Sequence, residues 1–146
     1  MSVIQDNRRI WQRYRLAENR RNIDEVLETL CGEPVYKLMA TSVTFKGHQQ
    51  VSDFYARLFT GIPEAHFEVV NVFVGEEGVV EEVILRGTQS GPVFGVAPTH
   101  REIALPLAIV YAISRGQILG VRWYFDLASL ARELGVPIEQ LVTGPL

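Results

Sequence analysis

Apolar residues recur at helical spacing through the first part of the chain and at strand spacing afterwards, with the change near residue 64. Val3, Ile10, Trp11, Tyr14 and Ala17 share one side of a helical wheel and the arginines the other, which predicts an amphipathic helix over residues 3–20. A short second helix is expected from Ile23 to Leu30, ending near Gly32 and Pro34. Val51, Phe54, Tyr55, Leu58 and Phe59 fall at i, i+3, i+4, i+7 and i+8 and predict a third, closed by Gly61 and Pro63.

Beyond residue 64 the runs are β-branched and aromatic. His66 to Val74, Val79 to Thr88, Ile103 to Ser114 and Gln117 to Phe125 read as an antiparallel meander, interrupted by "GEEG", "SGPVFGVAPTH" and "RG". An earlier short strand is expected within Val35 to Phe45. Leu127, Leu130, Ala131 and Leu134 predict a final helix, with Gly135 as C-cap and Pro137 beyond. Helices first and a long antiparallel sheet after imply an α+β fold in which the helices cover one sheet face and a curved sheet wraps them into a cone. Ile103 to Ile113 is apolar at nearly every position, so both its faces should be covered, the second by another subunit. A homodimer through the sheet is the expected partner arrangement.

Composition narrows the class. A length of 146 residues, 47% of them hydrophobic and 21% charged, suits a single domain spanning 1–146. The longest nearly apolar run has a proline inside it and is too short to cross a bilayer. The opening "MSVIQDNRRIWQRYRLAENRR" lacks the apolar centre of a signal peptide, and Cys31 has no second cysteine to pair with, so a cytoplasmic protein is expected. Six arginines against Asp6 and Glu18 make the first 21 residues +4, and a net charge of −3 leaves −7 for the rest. An acidic body without interleaved basic and stacking residues argues against nucleic acid, and the basic helix reads as a solvated face.

The segments "FKGHQQVSDFYARLFTGIPEAHFEV", "LRGTQSGPVFGVAPTHREIALP" and "RGQILGVRWYFDLASLARELG" resemble, in order and spacing, the SnoaL-like polyketide cyclase branch of the NTF2-like superfamily. The resemblance implies the NTF2-like cone and cofactor-free acid/base chemistry on a small apolar, polyketide-like carbonyl compound. It implies that the aspartate of Y-x-D, here Asp126, is the acid/base at the mouth of an apolar pocket. Ketosteroid isomerase, which is similar in fold, uses an aspartate base with an oxyanion hole. The histidine that the family tends to carry on the preceding strand is missing between Ile103 and Ser114, and Gln89 stands where its loop often has histidine. A non-catalytic binding or dimerisation module is therefore the alternative. An epoxide hydrolase, suggested by "RWYFDL", is a third; that branch's arginine and aspartate align with Glu82 and Ile84.

Alternation puts Arg122, Tyr124 and Asp126 on one face of the last strand, so Tyr124 and Arg122 are expected to share the pocket with Asp126. There Tyr124 could donate to an enolate oxygen and Arg122 could pair with a buried acid. An aspartate before an amphipathic helix is equally an N-cap. Of the consecutive Glu81 and Glu82, one must face inward, and Glu82 is the one expected there. Trp11, Tyr14, Phe54 and Leu58 are candidate lining and His66 a candidate pocket acid, with core packing and turn packing as the plainer roles. The histidines lack metal-ligand spacing and G-x-G-x-x-G is absent, so neither metal nor cofactor is expected. Cys31 reads as a small packed side chain.

Overall fold

The computed structural model describes residues 2–142. The elements are α1 (Val3–Asn19), α2 (Ile23–Glu28), β1 (Leu30–Leu38), β2 (Val43–Lys46), α3 (Gly47–Gly61), β3 (His66–Val74), β4 (Gly78–Thr88), β5 (Glu102–Ser114), β6 (Gln117–Tyr124), α4 (Leu127–Leu134) and α5 (Glu139–Val142). The strands form one curved, unclosed sheet in the order β2-β1-β6-β5-β4-β3. The four later strands make the expected antiparallel meander, and β1 joins it by pairing parallel with β6. Helices and sheet together form the expected α+β cone.

Two expected boundaries move. The second helix stops at Glu28, because the Thr29 hydroxyl donates to the Val26 carbonyl (2.6 Å) and ends the turn. The chain then enters β1 at once, so the single early strand becomes the hairpin β1–β2, and Cys31 lies in β1.

Ser2 and Gln5 form a capping box that starts α1. The helix is then fixed to the sheet at both ends. Asn7 Nδ2 donates to the Gly75 and Glu76 carbonyls in the β3–β4 turn (2.9 and 3.1 Å). Asn19 donates to the Phe67 carbonyl (3.0 Å) and accepts from the Phe67 amide (2.7 Å). These contacts lay α1 antiparallel to β3. Its inward side is not the purely apolar one expected, because Asn7, Arg15 and Glu18 are buried with Trp11, Tyr14 and Ala17.

The sheet's inner face carries Val79, Glu81, Val83 and Leu85 from β4, Leu105, Leu107, Ile109 and Tyr111 from β5, and Val121 and Trp123 from β6, all buried. The outer face is open in the single chain: Val70, Phe73, Val80 and Tyr124 are exposed. Gln89, fully buried, holds the connection between β4 and β5 by donating to the Gly91, Val96 and Ala97 carbonyls and accepting from Thr99. Glycine is required at position 61, where a Cβ would lie 2.5 Å from that of Val93 in this connection.

Asn19→Ala removes both bonds to Phe67 and strands a backbone amide in a partly buried site. Urea denaturation should show a loss of about 2 kcal/mol. A change within 0.5 kcal/mol, about the scatter of ordinary surface substitutions, would contradict the two-ended attachment of α1.

Candidate functional site

The inner face of α1 presents Tyr14, Arg15 and Glu18 within one turn of one another, towards Glu81 on β4, Tyr111 on β5, Tyr36 on β1 and Tyr55 on α3. Glu18 and Glu81 are 0% exposed and Arg15 6%. The Arg15 guanidinium is the centre. Its Nε donates to Glu81 Oε1 (3.1 Å), its Nη2 to Glu81 Oε2 and to the Tyr111 hydroxyl (3.0 Å), and its Nη1 to Glu18 Oε1. Tyr111 in turn donates to Glu81 Oε2. The guanidinium also stacks over the Phe67 ring, 4.7 Å from its centroid.

On the other side of Glu18, two tyrosine hydroxyls meet Oε2 and a third joins them. Tyr14 lies 2.9 Å from Oε2 and Tyr55 donates to it at short range. Tyr14 also meets Tyr36 (2.9 Å) and Tyr55, and Tyr36 meets Tyr55 (3.2 Å). Four oxygens thus make five close contacts, while the three hydroxyls supply only three protons. A proton on Glu18 adds a fourth and lets the ring of donors close. It also balances the charge, since one guanidinium cannot neutralise two carboxylates.

The electrostatics agree. Burial pushes the Glu18 carboxyl up, and Arg15 and the Tyr55 hydroxyl only partly offset it. Burial is also the first cause holding Tyr14, Tyr36, Tyr55 and Tyr111 protonated, reinforced by the neighbouring carboxyls. For Arg15 burial alone would lower the pKa, and Tyr111, Glu18 and Glu81 more than reverse it, so the guanidinium stays charged.

The residues expected from sequence divide between two faces. Trp11, Tyr14, Phe54 and Leu58 are buried inside the cone, with Tyr14 in the polar cluster. Glu82 is not the inward acid: it is exposed on the outer face, where Asn71 Nδ2 donates to it (2.9 Å), and Glu81 is inside. Arg122, Tyr124 and Asp126 also lie away from the cone interior, because Val121 and Trp123 take the inner positions of β6. Arg122 Nε donates to the Tyr124 hydroxyl (3.2 Å). Tyr124, Asp126 and Glu82 line an open outer hollow of about 590 Å³, and Arg122 borders a second of about 640 Å³. Asp126 is the N-cap of α4, accepting from the Ser129 amide (2.9 Å) and hydroxyl (2.6 Å). These Ser129 bonds hold its carboxyl below the ordinary aspartate range, the opposite of a desolvated base. His66 is exposed at the start of β3.

Arg15, Glu18, Tyr36, Tyr55, Tyr111 and Glu81 are therefore site residues that the sequence reading does not single out. One signal was present: Asn7, Trp11, Tyr14, Arg15 and Glu18 follow the i, i+4, i+7, i+8, i+11 spacing of a single helix face. Among the described residues no group of three or more potential ligands could hold a metal ion.

A cone of this topology with a buried cluster of ionisable groups is an NTF2-like protein with a candidate interior site. More narrowly, the family model for SnoaL-like polyketide cyclases matches residues 8–134, and the chain belongs to that family. Similar solved structures include a candidate SnoaL-like polyketide cyclase from Jannaschia sp. CCS1, with a TM-score of 0.81 and 24% identity over 94% of this chain and 96% of that one. A candidate polyketide cyclase from Xanthomonas campestris pv. campestris has a TM-score of 0.81 and 22% identity over 91% and 99%. A protein with a ketosteroid isomerase-like fold from Catenulispora acidiphila DSM 44928, in complex with trimethylamine, has a TM-score of 0.75 and 22% identity over 89% and 95%. At these identities the likeness is one of fold. A search of curated proteins finds no match.

The two glutamates should respond differently to neutralisation. Burial already disfavours the charged form of Glu18, so Glu18→Gln should change stability by less than about 1 kcal/mol. Glu81→Gln strips the guanidinium of its paired charge and should cost about 3 kcal/mol or more. A raised Glu18 pKa also fixes the sign of the pH dependence. The folded state holds this proton more tightly than the unfolded chain, so the stabilisation is full below the unfolded value of about 4.3 and is lost as pH rises through the folded one. Melting temperatures of wild type and Glu18→Gln should therefore converge or cross as pH rises above that value. A constant difference from pH 4 to 9 would show that Glu18 is not raised.

Proposed function

We propose that the chain is a cofactor-free acid/base enzyme acting on a small apolar carbonyl compound, with its chemistry inside the cone rather than at Asp126. The observation that carries this reading is the fully buried Glu18 carboxyl, pushed up by burial and bonded to the Tyr14 and Tyr55 hydroxyls, which Tyr36 joins in turn. A neutral carboxylic acid beside a tyrosine can donate to an oxygen on which negative charge develops, as in ketosteroid isomerase. Glu81, ion-paired with Arg15 and hydrogen-bonded by Tyr111, is its partner. In the proposed step Glu81 takes a proton from the carbon next to the carbonyl, while Glu18 and the tyrosines hold the enolate oxygen. The enolate carbon then either takes a proton back from Glu81 in an isomerisation or bonds to the carbon of a second carbonyl in a ring closure, whose alkoxide oxygen takes the proton that Glu81 holds. The substrate oxygen would replace one tyrosine contact of the ligand-free cluster.

Family membership supports a carbonyl substrate, as do the neighbours assigned as candidate polyketide cyclases. A second reading, a binding module without chemistry, is favoured by the closure of the cluster, whose polar atoms satisfy one another. Proton–deuterium exchange next to the carbonyl of cyclic ketones and β-diketones, followed by NMR in D2O, separates the two. Glu18→Gln and Glu81→Gln should each slow exchange about a hundredfold or more, and Asp126→Asn, which keeps the cap, should not. Binding without exchange by the wild type would establish the module. Loss of exchange only in Asp126→Asn would move the site to the outer hollow.

We propose as well that a second copy covers the outer sheet face, where Val70 (54% exposed), Phe73 (60%) and Tyr124 (41%) form an apolar surface. The wild type should then run as a dimer in light scattering and Phe73→Asp as a monomer. A monomeric wild type would refute the arrangement. Among the described residues no helix is long and apolar enough to cross a membrane, and the lone cysteine is compatible with the reducing cytoplasm proposed as its compartment.

A further inference from the structure

Trp123 is 1% exposed, yet its indole Nε1 has no acceptor among the described residues. A buried N–H without a partner is costly, and a native structure that keeps one commonly has a ligand or a water in view. The ring has little freedom to turn towards an acceptor. It stands edge-on to Phe54 at 5.3 Å and 83° and to Phe67 at 5.6 Å and 74°. Both neighbours belong to the polar cluster's own wall: Phe54 packs on Tyr55 at 5.0 Å, and Phe67 lies under the Arg15 guanidinium.

The sheet register places this orphan donor near the cluster. Glu81 pairs with Ile109 and Ile109 with Trp123, so Glu81 and Trp123 share one cross-sheet row, two strands and about 10 Å apart. Tyr36 pairs with Val121, which puts Tyr36 one strand across and two residues along from Trp123, about 8 Å away on the same inner face. These are backbone spacings of the order of one or two fused rings, with the Ile109 and Val121 side chains on the inner face between their ends.

We infer that Trp123 is a ligand-binding residue whose indole N–H donates to the second oxygen function of a rigid apolar substrate, the first being held by Glu18 and the tyrosines. The inference rests on the interior site proposed above and narrows its substrate class to ring compounds bearing two separated oxygen functions. A substrate with one oxygen leaves the indole unpaired. A substrate with two satisfies it, and the gain is that of a hydrogen bond formed by a donor already stripped of water.

Two probes test this on the whole protein: 2-naphthol, with one oxygen, and 6-hydroxy-2-naphthaldehyde, with a carbonyl oxygen at the far end. The wild type should bind the aldehyde about tenfold more tightly than 2-naphthol, and Trp123→Phe, which keeps an aromatic ring between Phe54 and Phe67, should lose that preference. In proton–nitrogen NMR the Trp123 indole signal, assigned with Trp11→Phe, should move downfield with the aldehyde and not with 2-naphthol. This measurement stands even if Trp123→Phe fails to fold. Equal binding of both probes by the wild type, or an indole signal that ignores the aldehyde, overturns the role of Trp123 and leaves the interior site intact. Failure of the wild type to bind either probe overturns both.

Discussion

One arginine and two glutamates enclosed in the same apolar cone set the terms for the rest of the molecule. A lone guanidinium in such a place would be prohibitively unfavourable, and a lone carboxylate equally so. Arg15 is tolerable because Glu81 meets it with both oxygens, and Glu18 because Arg15 and the Tyr14 and Tyr55 hydroxyls donate to its carboxyl. Each group requires the others, and they come from α1, β4, β5, β1 and α3. The polar cluster therefore specifies how these five elements must meet more narrowly than apolar packing could, since hydrophobic contacts tolerate sliding and a shared set of hydrogen bonds does not.

The attachment of α1 follows the same logic. Asn7 and Asn19 fasten the helix to the sheet at points 12 residues apart, and the charged turn lies between them. A helix free to shift along the sheet by one residue would carry Arg15 away from Glu81. The two asparagines act on the backbone of the β3–β4 turn and of β3, while the cluster acts on side chains.

The fold was legible in the sequence and the site was only half so, for identifiable reasons. Strand boundaries for β3 and the helical period of α3 emerge from residue type alone, and Gly135 marks the end of α4. The parity of β4 does not. The stretch Val79-Val80-Glu81-Glu82-Val83 looks much the same from either face, so alternation shows that one glutamate is buried but not which one. On β6 both faces carry aromatic residues, and the more polar set, which suggests a pocket by its composition, faces outward. The cap that the position of Asp126 offers before an amphipathic helix is the role the structure uses. Arg15 reads as a solvent-facing arginine because the cost of burying it cannot be weighed without its partners, which lie 66 and 96 residues further along at Glu81 and Tyr111.

The parallel pairing of β1 with β6 has a kinetic side. β1 finishes at Leu38, yet its neighbour on that edge is complete only at Tyr124, and β2 hangs on β1 alone. As the chain leaves the ribosome, α1 to α3 therefore emerge with no sheet to lie on and with Arg15 and Glu18 still in water. Contacts of such long sequence separation make for slow closure and a period in which apolar surface is uncovered. Assembly of the cone is thus a late event in synthesis, and the first half of the chain is the part most dependent on protection from aggregation until β6 arrives.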